Sequence, residues 1–422
     1  MSSLSDVSRS NSLPSAAKKP AVEPSWVDKM SRNMVFSHLR RLQRGRIEVR
    51  EGMNRWVFGE VVPSQGALSV TMTVHDSGCY REMVTGGSIG MAEAYMTGDW
   101  EVDDLTALVR LMAQNLSVLD EMESGLARLS SPVLKWLHAR NSNTEKGSKR
   151  NIAAHYDLGN EFFKLFLDPT MMYSSGIFPY EHASMEEASN YKLRRICEVL
   201  ELSETDRVIE IGTGWGGFAI YAAKNYGCKV TTTTISDAQY EEAQRRVLAA
   251  GLSDKITLLK EDYRSLEGNF DKLVSIEMIE AVGWQYYETF FAKCSELLKP
   301  GGRALIQAIT IRDQRYDYAR RNVDFIQKYI FPGSCIPSLQ ALLTANMRAG
   351  NLNLEHQQDF GLDYAKTLRC WHERFLTNQH AIRRLGYSEE FMRMWRFYLS
   401  YCEGGFAERT IGVSHLVFRR AG

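Results

Sequence analysis

Hydrophobic positions change their period part-way along this 422-residue chain. Near the N-terminus the spacing is helical. The stretch "SWVDKMSRNMVFSHLRRLQRGRIEVR" (25–50) suits an amphipathic helix over its first two-thirds, with Trp26, Met30, Met34 and Phe36 among the apolar positions. "VDDLTALVRLMAQNL" sets Leu105, Leu108, Val109, Met112 and Leu116 on one face behind an Asp103 or Asp104 cap. Between them, "RWVFGEVV" and "LSVTMTVHD" read as short strands. From 151 onward, short apolar runs alternate with helical stretches. Strands are predicted at Arg207–Ile211 and in "KVTTTTI", "ITLLK", "KLVSI" and "LLKPGGRALIQAI". Capping boxes at Ser184/Glu187 and Ser236/Gln239 open two of the intervening helices, and Gly227 closes a third. Such alternation predicts an α/β fold, a parallel sheet with helices on both faces and a ligand at the carboxyl ends of its strands. A smaller mixed α+β domain precedes it. The expected organisation is a disordered tail over 1–24, an N-terminal domain over 25–138, a polar linker over 139–150 and the main domain over 151–422.

Composition narrows the function classes. With 51 basic and 51 acidic side chains the net charge is zero, which argues against a nucleic-acid binder. The Ser/Ala/Pro-rich start lacks the apolar run of a signal peptide, and no stretch approaches the roughly 18 apolar residues that span a bilayer, so a cytoplasmic location is expected. The seven scattered cysteines form no CxxC pair and read as reduced thiols without a metal site. Basic stretches at 29–50 and 135–150, with Trp26, Trp136 and Leu137 beside them, suit peripheral contact with the inner face of a membrane. They would equally suit solvated helices covering the domain. Self-association as a homodimer is compatible with so small an N-terminal part.

The candidate chemistry starts at "VIEIGTGWGG" (208–217), a buried strand running into a glycine turn. Gly212, Gly214 and Gly217 fit the dinucleotide spacing, but no Lys-Ser/Thr follows for a phosphate loop, and "TTTTIS" ends the next strand without a ribose-binding carboxylate. Glu210 stands two residues before the first glycine instead. A carboxylate there repels a pyrophosphate and favours the cationic amino-acid portion of S-adenosylmethionine.

Further stretches carry a family resemblance: "HYDLGNEFFKLFLDPTMMYSSGIF" (155–178), "SIEMIEAVGWQYYETFF" (275–291), "KYIFPGSCIPS" (328–338), "LDYAKTL" and "FYLSYCEGGF". With the turn, they closely resemble the cyclopropane-fatty-acid synthase family of methyltransferases over about residues 45 to 420. The resemblance implies a Rossmann-like class I methyltransferase sheet and an S-adenosylmethionine site made from Tyr173, Ser174, Glu210, Gly212, Gly214, Gly216, Thr234, Ile235, Gln239, Asp262, Tyr263 and Ile276. The implied acceptor is the cis double bond of a phospholipid acyl chain. The product is a cyclopropane, formed through a carbocation that aromatic side chains stabilise and that water must not reach.

In that family the proton acceptor is thought to be a bound bicarbonate. Glu280, Tyr364 and Cys402 match positions that hold it. Ser175 stands where many members have cysteine, Gln307 where they have histidine, and Ala281 where a histidine commonly follows the glutamate. Glutamine can hydrogen-bond an anion but cannot carry a proton. A methyl- or methylene-branched acyl product therefore stays open beside the cyclopropane. Small-amine N-methylation is a third alternative, and a lipid-binding protein with a residual cofactor fold is the non-enzymatic one.

Overall fold

The computed structural model describes residues 23–61, 68–124, 143–144, 147–148, 151 and 158–422. The expected tail, the basic stretch around Trp136 and Leu137, and most of the expected linker lie outside the described residues.

The N-terminal region is a four-stranded sheet in the order β2-β1-β3-β4, with helices against it. It contains α1 (Trp26–Leu39), β1 (Gly45–Glu51), β2 (Asn54–Glu60), β3 (Ser69–Val74), α2 (Cys79–Met96), β4 (Trp100–Val102), α3 (Leu105–Gln114) and α4 (Leu116–Ser124). α1 begins at a Ser25/Asp28 capping box and buries Val35, Phe36 and Leu39, leaving Trp26 and Met30 in solvent, 73% and 47% exposed. The inward face of this helix runs along Asp28, Ser31, Val35 and Leu39, which leaves Trp26 and Met30 outside it. β1 falls in the stretch read from sequence as a continuous basic segment. Its Ile47 and Val49 point into the core, while Arg46, Arg50 and Arg55 pair with Glu48 between 2.7 and 2.8 Å. Arg55 and Arg50 hold that carboxyl down to about 2.

The second sheet has seven strands in the order β10-β11-β9-β8-β5-β6-β7. α5 (Asn160–Lys164) and α6 (Met185–Val199) precede it. β5 (Arg207–Ile211), α7 (Gly217–Tyr226), β6 (Lys229–Thr233), α8 (Asp237–Ala249), β7 (Ile256–Leu259) and β8 (Phe270–Ile276) follow. Then come α9 (Ile279–Val282), α10 (Tyr287–Leu297), β9 (Leu298–Ile311), α11 (Asp313–Ala319), α12 (Leu339–Ala349), β10 (Leu352–Asp359), α13 (Gly361–Thr377), α14 (Gln379–Arg384), α15 (Glu389–Ala407) and β11 (Ile411–Arg420). β9, β8, β5, β6 and β7 are parallel, as the alternation predicts. β11 runs antiparallel to both β9 and β10, an addition that the alternation did not foretell. Within β9 the register jumps from Phe270↔Leu298 to Lys272↔Arg303, so "KPGG" loops out as the turn its proline and glycines favour. The Ser184/Glu187 capping box is complete, whereas at α8 only the Ser236 half forms. There the Gln239 side chain accepts from Thr234 Oγ1 instead of returning to the cap (3.1 Å).

The strand order reverses between β5 and β8, which opens a crevice at their carboxyl ends. The N-terminal region closes that crevice from above, and one apolar core joins it to α13 and α15. The contact is close: a Cβ on Gly404 of α15 would come within 2.6 Å of Val109 Cγ1 on α3. Arg393 of α15 reaches the carbonyl of Trp100 and the carboxylate of Glu101 (3.0 and 3.1 Å). Phe162 of α5 meets Trp395 edge-on at 4.9 Å within this core. Among the described residues no helix is long and apolar enough to cross a membrane.

Candidate active site

A cavity of 1330 Å³ runs from the carboxyl ends of β5, β6 and β8 to the inner faces of α2, α3 and α4. Its volume exceeds the roughly 300–1,000 Å³ of an ordinary small-molecule site, which leaves room for two reactants. Tyr173, Ser174, Glu210, Gly212, Gly214, Thr234, Ile235, Gln239, Asp262, Tyr263, Ile276, Glu280, Tyr364 and Cys402 all line it. Gly216, Ser175 and Gln307 do not; they stand behind the wall.

One end of the cavity is the glycine turn. Gly214 has a φ of +52°, which favours glycine, and a Cβ there would meet open space, so its backbone faces the cavity. Gly217 is needed for a different reason: a Cβ would come within 2.5 Å of Met172 Sδ. Trp215 is pinned by its indole N–H to Asn160 Oδ1 (2.7 Å) and by Arg246 to its carbonyl (2.8 Å). Behind the turn, Thr213 Oγ1 donates to Thr232 Oγ1, which donates to Glu210 Oε2, both at 2.7 Å. Burial pushes the Glu210 carboxyl up to about 8, with one hydroxyl hydrogen bond opposing it. A buried carboxylate with so little internal compensation is suited to a cationic ligand. At the rim, both oxygens of Asp262 are engaged by Arg264 (2.7 Å each), and among the described residues the buried Tyr263 hydroxyl has no partner. These groups fit S-adenosylmethionine: a carboxylate for its positive charge, open backbone at the turn and, at the rim, a buried hydroxyl without a partner among the described residues.

The middle of the cavity holds two carboxylates. Glu280 Oε1 accepts from the Ile309 N–H (2.5 Å), while Oε2 has no partner among the described residues. Burial, then repulsion from Glu277, pushes Glu280 up to about 8. Glu277 was not singled out from the sequence. It follows β8 directly, has a left-handed φ of +48°, and lines the cavity. Its Oε1 accepts from the Ser175 N–H (2.9 Å) and Gln307 Nε2 (2.6 Å), and its Oε2 from the Tyr364 hydroxyl (2.6 Å). The donors placed by the resemblance around a bicarbonate thus converge on a side chain of this protein. Free bicarbonate does not fit this cradle, because Glu277 already fills it. The available signal was an acidic residue at the carboxyl end of a parallel strand, with polar Gln307 paired beside it across Ile276↔Gln307.

Buried groups around the cradle fix its orientation. His415 Nε2 lies 2.9 Å from Gln307 Oε1; burial lowers this histidine to about 3, so its neutral ring donates to the amide oxygen and leaves Nε2 of Gln307 for Glu277. Lys192, wholly buried, donates to Ser174 Oγ (2.6 Å), and desolvation pushes it down to about 8. Tyr173 and Tyr398 share a hydroxyl contact of 2.9 Å, and Tyr364 stacks on Phe406 at 4.3 Å. Cys402 faces the cavity with its thiol pushed up by burial, unlike an activated nucleophile. Beyond these polar groups the wall turns apolar, through Phe331, Phe397 and Tyr401 to Ile89, Leu105, Leu108 and Met112.

Comparison with known proteins identifies the family. Residues 143–416 match the family described as mycolic acid cyclopropane synthetase. The chain belongs to that family. Within it, the cyclopropane-fatty-acyl-phospholipid synthase of Escherichia coli K12 is 37% identical over 358 residues, covering 84% of this chain and 89% of that one. Tuberculostearic acid methyltransferase UfaA1 of Mycobacterium tuberculosis is 36% identical over 343 residues, with 80% of each chain covered. The crystal structure of mycolic acid cyclopropane synthase CmaA1 complexed with SAH and CTAB superposes with a TM-score of 0.61 at 28% identity, covering 64% of this chain and 98% of that one. Coclaurine N-methyltransferase, 17% identical with a TM-score of 0.59, shares the fold. Membership in the cyclopropane synthetase family makes this chain an S-adenosylmethionine-dependent methyltransferase with a class I methyltransferase sheet.

Proposed function

We propose that this enzyme methylates the cis double bond of an unsaturated phospholipid acyl chain and that the product is a cyclopropane. The observation that carries the reading is the continuity of the cavity: a polar end suited to a sulfonium cofactor opens without a break into an apolar end suited to a hydrocarbon tail. S-adenosylmethionine supplies an electrophilic methyl group. Glu210, the turn at Gly212 and Gly214, Thr234, Ile235, Gln239, Asp262, Tyr263 and Ile276 would hold it, with Tyr173 and Ser174 closing the site. The chain's own contribution to the chemistry is to align the alkene, since positioning supplies much of the rate when the nucleophile is weak. Aromatic faces at Tyr364, Phe397, Tyr398 and Tyr401 stabilise positive charge, and the N-terminal helices exclude water that would trap a carbocation as an alcohol.

A branched product is the second reading, favoured by one observation: Gln307 and Glu277 replace an arrangement built for a separate anion, so the fate of the cation depends on which proton Glu277 reaches. Docking to the lipid surface rests on Trp26, Lys29 and Met30 of α1, which are exposed together at the start of that helix. The proposed docking is to the cytoplasmic face of the membrane. Methyl-labelled cofactor incubated with vesicles of monounsaturated phospholipid tests the reading, because ring and branch are distinguished by NMR of the extracted lipid. Label should enter the acyl chain with wild-type protein. Label in an added amine instead of the lipid would overturn it.

A further inference from the structure

We propose that Glu277 is the proton acceptor that completes the reaction, a base carried by the chain in place of a diffusible anion. The inference rests on acyl methylation as the reaction. In that reaction the alkene π pair bonds to the transferred methyl carbon, the carbon–sulfur pair stays with sulfur, and the neighbouring chain carbon becomes cationic. One proton must then leave: from the transferred methyl, two bonds from the cation, the C–H pair closes the ring, and from a chain carbon adjacent to the cation it forms a double bond. Glu277 takes that proton and becomes a neutral carboxylic acid, which returns the proton to solvent after product departs. No oxidant or further reactant is required.

Three features of the site single out Glu277. First, the three donors at Ser175, Gln307 and Tyr364 come from the loop before the sheet, from β9 and from α13, so separate elements are organised around one carboxylate. Second, its backbone is held at φ +48°, a conformation unfavourable for a non-glycine residue that persists where the surroundings fix it. Third, the carboxylate faces the cavity between the cofactor end and the aromatic wall.

Glu280, the alternative, is less suited. It receives one backbone hydrogen bond, whereas Glu277 receives three and also feels the Lys192 ammonium. Two neighbouring buried carboxyls do not readily ionise together. Burial raises both carboxyls, but the Lys192 ammonium and the three donors oppose it at Glu277, so the charge settles there and Glu280 holds the proton. Engaging both Glu277 oxygens also restrains the carboxylate from bonding to the cation as an ester.

The test uses the full-length enzyme, vesicles of monounsaturated phospholipid, methyl-labelled cofactor and buffers freed of carbon dioxide. Wild-type turnover should change by less than about twofold when bicarbonate is removed, and wild-type protein should show no binding of 13C-bicarbonate by NMR. Glu277→Gly should lose roughly 100-fold in rate in the same buffer, of the size general-base removal causes. It should regain part of that rate on adding bicarbonate, and should bind 13C-bicarbonate. Glu277→Gln fills the cradle without a charge, so it should lose activity and resist rescue. Cofactor affinity by calorimetry should match wild type in both variants, which separates loss of the base from misfolding. If only Glu277→Gln folds, its rate alone decides.

A wild-type requirement for bicarbonate, or an unimpaired Glu277→Gln, would overturn the assignment while label still enters lipid. Absence of label in lipid with wild-type protein would overturn the substrate reading instead, and the base with it.

Discussion

At the cofactor end of the cavity the working groups come from adjacent strands and the turns that follow them. Glu210, Gly212 and Gly214 lie within five residues, and the supporting Thr232 sits on the neighbouring strand. At the reaction end, Glu277, Gln307, Ser175, Tyr364 and His415 come from five separate places along the chain and meet only in the folded protein. The cofactor end is a local device that many ligands of one class can share. The reaction end is an assembly whose chemistry changes when any one donor changes.

Substitutions can separate the two ends. The largest effect is expected at Glu210→Gln, which removes the charge facing the cationic cofactor. Affinity for S-adenosylmethionine, measured by calorimetry, should fall by about 100-fold, or roughly 2.7 kcal/mol, as for loss of a charged hydrogen-bonding partner. Tyr364→Phe should leave that affinity unchanged and lower kcat by roughly 10- to 100-fold, because the buried Glu277 loses one of its three donors. If it weakens cofactor binding instead, the two ends are not independent.

Cofactor affinity should also depend on pH. The Glu210 carboxyl, raised to about 8 by burial, must be ionised to receive a cation, so binding expels a proton below that pH and none above it. The dissociation constant should therefore fall by up to about tenfold per unit as pH rises towards 8, and then level off. Glu210→Gln should flatten the profile. The smallest effect belongs to the apolar end. Leu108→Phe narrows the space between α3 and the aromatic wall, and should lower the rate with long acyl chains relative to short ones by about fivefold, the low end of the roughly 1–3 kcal/mol of one overpacked contact.

The same contrast decides what could be read before folding. β5, its turn, α7 and the Ser184 capping box were all legible, because each is specified by residues within one turn or strand of each other. β1 was hidden because its outward positions are arginines and a glutamate that pair among themselves, so charge masked a period-two apolar pattern at Ile47 and Val49. β10 and β11 were missed because their place in the sheet depends on a partner, β9, that lies far away in sequence. In "SIEMIE" sequence reasoning favoured the second glutamate. Which of two acids three residues apart receives the donors is set by a left-handed residue and by donor groups up to 102 positions away, the farthest a backbone N–H, so the residues between the two acids do not decide it.

The unbroken passage from Glu210 to Leu108 also has a pharmacological meaning. A single molecule with a cationic head and a flexible hydrocarbon tail is complementary to both compartments at once, and needs no second binding event to fill them. Long-chain ammonium or sulfonium amphiphiles should therefore act as one-piece inhibitors, competing with donor and acceptor alike, with potency that climbs with tail length until the helices at the far wall stop it.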